Sequence, residues 1–125
     1  MSKKKYGILS SFGFAFRGIG LLFRSERNAK IHLTVLILVL LAGIFLKINI
    51  QDWIVVVLCA GAVLATEAIN TAIEGTIDLL HPDHSEKAGR IKDISAAAVL
   101  FTSITSLICG ILIFLPRIID LCCRA

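Results

Sequence analysis

Asn70, Glu74 and Asp78 follow Glu67 at intervals of 3, 7 and 11 residues. On a helix turning about 100° per residue, this spacing keeps all four side chains on one narrow face. The stretch before them, Trp53 to Ala65, is almost wholly apolar, so the face belongs to a helix that can enter a bilayer. An ionisable residue inside such a helix costs about 2.5–3.5 kcal/mol on insertion scales, and a row of carboxylates there marks a functional site. Carboxylates at one level suit a hard cation such as Mg²⁺, which takes oxygen ligands and keeps substrate phosphates in its shell. A deeper carboxylate in low dielectric suits a general base for a lipid hydroxyl. Lys92 adds a positive charge able to neutralise phosphate. Together these are the requirements of phosphoryl transfer, which depends mainly on alignment and charge neutralisation. No GxxxxGK[ST] loop occurs: Gly13 and Gly18 have the spacing but no Lys-Ser/Thr follows, so any nucleotide site is unconventional.

The elements that must position these residues are helices. The chain has 125 residues, enough for one domain, and 57% of them are hydrophobic. The pattern predicts an all-α integral membrane domain with an amphipathic surface helix over about 6–24 and spans over about 31–46, 53–80 and 94–115. In the first segment, Phe12, Phe16, Ile19 and Phe23 form an apolar stripe beside Gly13, Arg17, Gly20 and Arg24, as expected for a helix lying in the interface plane. Lys30 and Lys47 flank the first span, Trp53 marks a membrane–water boundary, and Pro116 and Arg117 mark the far exit of the third span.

Charge sets the orientation. Lys3, Lys4, Lys5, Arg17, Arg24, Arg27 and Lys30 supply most of the formal charge of +4. They abut apolar spans, so an anionic leaflet is the expected partner rather than nucleic acid. The loop between the second and third spans adds Lys87, Arg90 and Lys92, against Lys47 alone in the first loop. The N-terminus and the second loop are therefore expected in the cytoplasm, with the C-terminus outside. Counting from Trp53 at 1.5 Å per residue, Glu67 lies about 21 Å and Glu74 about 31 Å further in. Glu26, Glu74, Lys92 and Asp93 then share headgroup depth, with Glu67 slightly below them.

Blander readings apply to several residues. Asp78, Asp83, Glu86 and Lys87 fit solvated helix ends, Asn70 can bridge helices, and His32, His81 and His84 fit interfacial roles. Cys59 and Cys109 lie in apolar runs, and Cys122 and Cys123 have no CxxC spacing, so no zinc or redox site is expected. A small oligomeric membrane carrier, with Glu67 and Asn70 as an intramembrane cation or proton site, competes as an explanation. It leaves Glu26, Lys92 and Asp93 without a role.

Glu67-Ala-Ile-Asn-Thr-Ala-Ile-Glu-Gly-Thr-Ile-Asp78, followed by Ala88-Gly-Arg-Ile-Lys-Asp-Ile-Ser-Ala-Ala-Ala-Val99, closely resembles the prokaryotic diacylglycerol kinase family, which includes undecaprenol kinases. Gly13-Phe-Ala-Phe-Arg-Gly18 and Glu26-Arg-Asn28 extend the likeness over nearly the whole chain. The resemblance implies a homotrimer in the bacterial inner membrane that transfers the γ-phosphoryl of ATP to a lipid hydroxyl with Mg²⁺. By position it implies Glu67 as catalytic base and Glu26 and Glu74 as metal ligands. Phe14, Glu26, Glu74, Asp83, His84, Ser85, Lys92 and Asp93 would meet ATP. Asn28, Trp53, Glu67, Asn70 and Ala96 would meet the lipid. In this picture the small side chains of Ala96, Ala97 and Ala98 let the second and third spans approach closely. Glu26-Arg-Asn28 with His32, and Ile113-Phe-Leu-Pro116, look more like the undecaprenol kinase branch. So does Gly7, where enterobacterial-type diacylglycerol kinases carry arginine. The lipid is thus undecaprenol or diacylglycerol, with the first favoured.

Overall fold

A computed structural model of the protein describes residues 7–82 and 85–124, and their regular structure is entirely α-helical. The order is α1 (Ile8–Ser25), α2 (Arg27–Phe45), α3 (Ile50–Leu80) and α4 (Glu86–Arg124). Helices α2, α3 and α4 are long and apolar enough to cross a membrane, with mean hydropathies of 2.0, 1.9 and 2.4 over their most apolar windows. Their outward faces carry Leu38, Leu41, Ile54, Leu58, Phe101 and Leu112, all exposed in the single chain. This fits a multi-pass membrane protein. At 1.5 Å per residue the 31 residues of α3 and 39 of α4 extend about 46 and 58 Å, beyond a hydrocarbon core of about 30 Å.

Most interhelical contact lies between α3 and α4. Val56, Val63, Glu67, Asn70 and Ile77 are the buried residues of α3. With half-buried Ala60 and Glu74, they recur at alternating intervals of four and three. That is the seven-residue repeat of helices packed along a left-handed seam. Ala88, Ser95 and Ile113 are buried on α4 in register with it. Three of the seam positions on α3, Glu67, Asn70 and Glu74, are thus polar, and all fall in its second half.

The two ends of the bundle are built differently. At the α2–α3 turn, Ile48, Val56 and Ile113 form an apolar core, with Val39, Leu40, Trp53 and Phe114 packed on it. The Trp53 ring lies against Gly43, where an added Cβ would come within 2.8 Å of it. The turn closes α2 by N–H groups of Lys47 and Ile48 donating to the carbonyls of Ile44 and Gly43. This is a Schellman arrangement with Lys47 in the left-handed region at φ 50°. Asn49 caps α3, its side chain accepting the Asp52 N–H at 2.9 Å. Asp52 is also ion-paired with Arg117 of α4.

Pro116, read from the sequence as an exit, does not end its helix: α4 continues to Arg124. Proline removes one backbone donor from this turn. The carbonyl left without that donor is Leu112, while the Arg117 guanidinium donates to the neighbouring Ile113 carbonyl at 2.6 Å. The surface segment and the first span also differ from the expected layout in one respect. Only Glu26, in extended conformation (φ −94°, ψ 122°), separates α1 from α2.

Candidate functional site

The site starts from Glu67, only 2% exposed at a seam position of α3. His32 and Glu26, from α2 and the break before it, and Glu74 on its own helix act on it electrostatically. Glu67 is therefore within electrostatic reach of carboxylates from two elements that are distant in sequence. The Glu26 position follows from its place in the one-residue break, at the positive N-terminal end of α2, where a carboxylate is favoured.

One turn further along α3, Asn70 is 7% exposed. Its Nδ2 donates to Glu74 Oε1 at 2.8 Å, and its Oδ1 accepts from Ser95 Oγ of α4 at 2.6 Å. The Lys92 carbonyl, 2.9 Å from Ser95 Oγ, is the alternative acceptor for the same proton. Asn70 thus ties the Glu74 carboxylate to the Ser95 side chain of α4 and restricts its rotamer. Beyond them Lys92 is ion-paired with Asp78 across the same two helices. Below Glu67, Thr66 and Thr102 share a hydrogen bond of 2.9 Å. The polar contacts form rungs at successive levels of one seam.

The remaining residues singled out from the sequence lie at varied distances from this centre. Asp93 is exposed beside Lys92, and Asn28 is exposed in the first turn of α2. Phe14 lies on α1, with the Arg17 guanidinium 6.0 Å from its ring centre. Ser85 is half-buried just before α4, its carbonyl accepting from Gly89 N–H at 2.9 Å. Asp83 and His84 fall outside the described residues. Trp53 packs at the α2–α3 turn, about 21 Å along α3 from Glu67. Ala96 and Ala98 face outward in the single chain, and Ala97 is half-buried. The close approach of α4 to Asn70 is made instead by Ser95, which sequence reasoning passed over. Its signal was present: Ser95, Thr102 and Ser106 recur at intervals of seven and four on α4.

Among the described residues, no group of three or more His, Cys, Asp or Glu side chains is arranged as a metal-ligand set. Glu26 and Glu74 are nonetheless suitable partners for Mg²⁺, which commonly takes one or two carboxylates and fills its shell with water and phosphate oxygens. Glu26 and Glu74 both act electrostatically on Glu67, negative charge that a divalent cation would balance.

A family model described as prokaryotic diacylglycerol kinase matches residues 13–114. Undecaprenol kinase from Bacillus subtilis (strain 168) is 39% identical over 108 residues, which cover 86% of this chain and 88% of that one. A diacylglycerol kinase from Synechocystis sp. is 32% identical over 115 residues, 91% of this chain and 66% of its own. Diacylglycerol kinase from Escherichia coli (strain K12) is 24% identical over 101 residues, 81% of this chain and 83% of its own. The chain belongs to the prokaryotic diacylglycerol kinase family and is a lipid kinase.

Proposed function

We propose that the protein transfers the γ-phosphoryl group of ATP to the terminal hydroxyl of undecaprenol at the cytoplasmic face of a bacterial inner membrane. The observation that carries this reading is the buried Glu67 carboxylate at the end of an apolar, membrane-spanning stretch of α3. A base at this depth meets a hydroxyl delivered from the bilayer, whereas a base for a soluble alcohol would stand in water. The similarity to a relative named undecaprenol kinase supports the choice of lipid over diacylglycerol.

In this mechanism Glu67 accepts the proton of the lipid hydroxyl as its oxygen attacks the γ-phosphorus. The bond from that phosphorus to the β–γ bridging oxygen breaks, and ADP leaves. Glu26 and Glu74 would hold Mg²⁺, which would withdraw charge from the phosphate oxygens. Asn70 and Ser95 fix the Glu74 rotamer, so that ligand is presented without a search through conformers. Lys92 and Asp93 contact the nucleotide, as do Phe14, Asp83, His84 and Ser85. Lys92 exchanges its Asp78 partner for phosphate. Exposed pairs of this kind are worth about 0–1 kcal/mol, so the exchange costs little.

The proposed assembly is a homotrimer forming one membrane domain over the whole chain, with α1 lying in the interface plane as an amphipathic helix. The basic residues near the N-terminus and in the 87–92 segment support cytoplasmic placement of the N-terminus and the site.

Purified protein in mixed micelles with labelled ATP and Mg²⁺, given undecaprenol or diacylglycerol separately, tests the reading. Phosphorylated undecaprenol from wild type and none from Glu67→Gln is the expected result. Transfer to diacylglycerol alone overturns the substrate. Transfer to neither, by folded protein, overturns the reaction and restores the carrier as the leading explanation.

A further inference from the structure

Between α2, α3 and α4 lies a cavity of about 520 Å³. Its lining is mostly apolar, with Val39, Val56 and Phe114 toward the α2–α3 turn. On α3 the lining stops at Val63 and Leu64, one helical turn short of Glu67. Two polar side chains of the lining belong to that same end. His32 lines the cavity from α2 and also acts electrostatically on Glu67. Ser103 lines it from α4, directly after Thr102, whose hydroxyl bonds Thr66 next to Glu67. The Ser103 hydroxyl oxygen is buried and has no hydrogen-bond partner among the described residues. A buried hydroxyl without a partner forfeits its hydrogen bond unless a ligand supplies one. Nearby hydroxyls show the contrast: Thr102, Thr105 and Ser106 all donate to carbonyls of their own helix.

We propose that His32 and Ser103 hold the acceptor hydroxyl of the lipid alcohol beside Glu67, with the first part of its hydrocarbon chain in the cavity. The proposal rests on the lipid kinase reading and adds two positioning residues to it. The alcohol has one proton to give and two lone pairs to offer. The proton points to Glu67, and the lone pairs face the Ser103 O–H and an imidazole N–H of His32. The attacking oxygen is thereby oriented before the nucleotide arrives. The apolar lining selects a hydrocarbon chain, and the paired polar groups at one end select an alcohol terminus. A second ester or carbonyl group deeper in the ligand would meet no donor beyond the thiols and Ser106, whose proton is already engaged.

The test is a steady-state comparison of wild type, Ser103→Ala, His32→Ala, His32→Gln and Thr105→Ala in mixed micelles. The mole fraction of undecaprenol is varied at saturating MgATP, and MgATP is varied at saturating undecaprenol. Loss of one hydrogen bond to the acceptor raises the KM for the lipid about tenfold in Ser103→Ala and His32→Ala. The KM for MgATP stays within about twofold of wild type. His32→Gln, which keeps a donor, recovers part of the lipid KM. Thr105→Ala, whose hydroxyl bonds the Phe101 carbonyl on an exposed face, leaves both constants unchanged. Unaltered lipid KM in both alanine variants, or equal changes in both KM values, overturns the proposal while wild-type transfer leaves the kinase reading standing. Wild type that phosphorylates no lipid alcohol overturns both together.

Discussion

The end of the bundle at the α2–α3 turn and the end that holds Glu67 solve opposite problems with the same two helices. At the turn end the seam is filled by Val56 and Ile113, the ring of Trp53 rests on Gly43, and Asp52 is paired with Arg117. At the other end the equivalent seam positions are Glu67, Asn70 and Ser95, all buried. In a bilayer, helix association rests on van der Waals packing and hydrogen bonds, since lipid chains are as apolar as leucine. The turn end collects both kinds of stabilisation. The acidic end gives up apolar packing for carboxylates. The lesson is that a small membrane enzyme can fix its helices at one end and leave the other free to carry unfavourable charge.

The largest effect expected from breaking this contrast is Glu67→Leu. It restores an apolar residue to the seam, so transfer activity falls by about 10²–10⁴-fold while the thermal midpoint in detergent rises. Activity assays beside thermal unfolding read both; a variant less stable than wild type would show that Glu67 also holds the helices together. Gly43→Val attacks the opposite end. Its side chain meets Trp53 and Ile48, with an expected loss of about 1–3 kcal/mol of stability. Activity per folded molecule stays near wild type, as measured by unfolding in mixed detergent and by turnover at low temperature.

Smaller changes sharpen the comparison. Ser95→Ala removes the hydrogen bond to Asn70 and so frees the Glu74 rotamer. A loss of about 1 kcal/mol should appear mainly as weaker Mg²⁺ dependence of turnover, measured by metal titration, with little change in unfolding. Lys47→Gly relieves a side chain held at φ 50°. Left-handed geometry costs about 1–2 kcal/mol for a residue with a Cβ, and glycine's extra freedom returns part of that. A net gain of about 0.5 kcal/mol in stability, with unchanged kinetics, is the expected reading by thermal unfolding.

Much of the helical architecture was legible in the residues. Apolar runs of membrane length gave the three long helices, and the 3, 7 and 11 spacing from Glu67 gave the shared face of α3. The details that escaped depend on partners far away in the chain. Ser95 is an ordinary small residue until Asn70 is placed opposite it. Asp52 and Arg117 are 65 positions apart, and their pairing follows only from the register of α3 against α4. Pro116 carries a strong local signal for a helix end. The helix nevertheless runs through it to Arg124. Ala96, Ala97 and Ala98 suggested a close helix contact by size alone; in the single chain Ala97 is half-buried, and the hydrogen bond to Asn70 comes from Ser95. Size indicates that two helices can approach, whereas the phase of the repeat decides which residue meets the neighbour.

The seven-residue seam also works as a ruler. Each rung, from Asp52–Arg117 through Thr66–Thr102 and Asn70–Ser95 to Asp78–Lys92, holds only while every intervening residue keeps its place. Inserting one residue between Trp53 and Glu67 would turn the acids about 100° around the helix and move them about 1.5 Å along it. Every polar group beyond the insertion would then face lipid, and no side-chain adjustment restores the match. An insertion between Leu80 and Glu86 lengthens a connection without altering either count. Length variation in such proteins is therefore expected to collect in that connection and at the chain ends, while the interval from the α2–α3 turn to Glu67 is held to the residue.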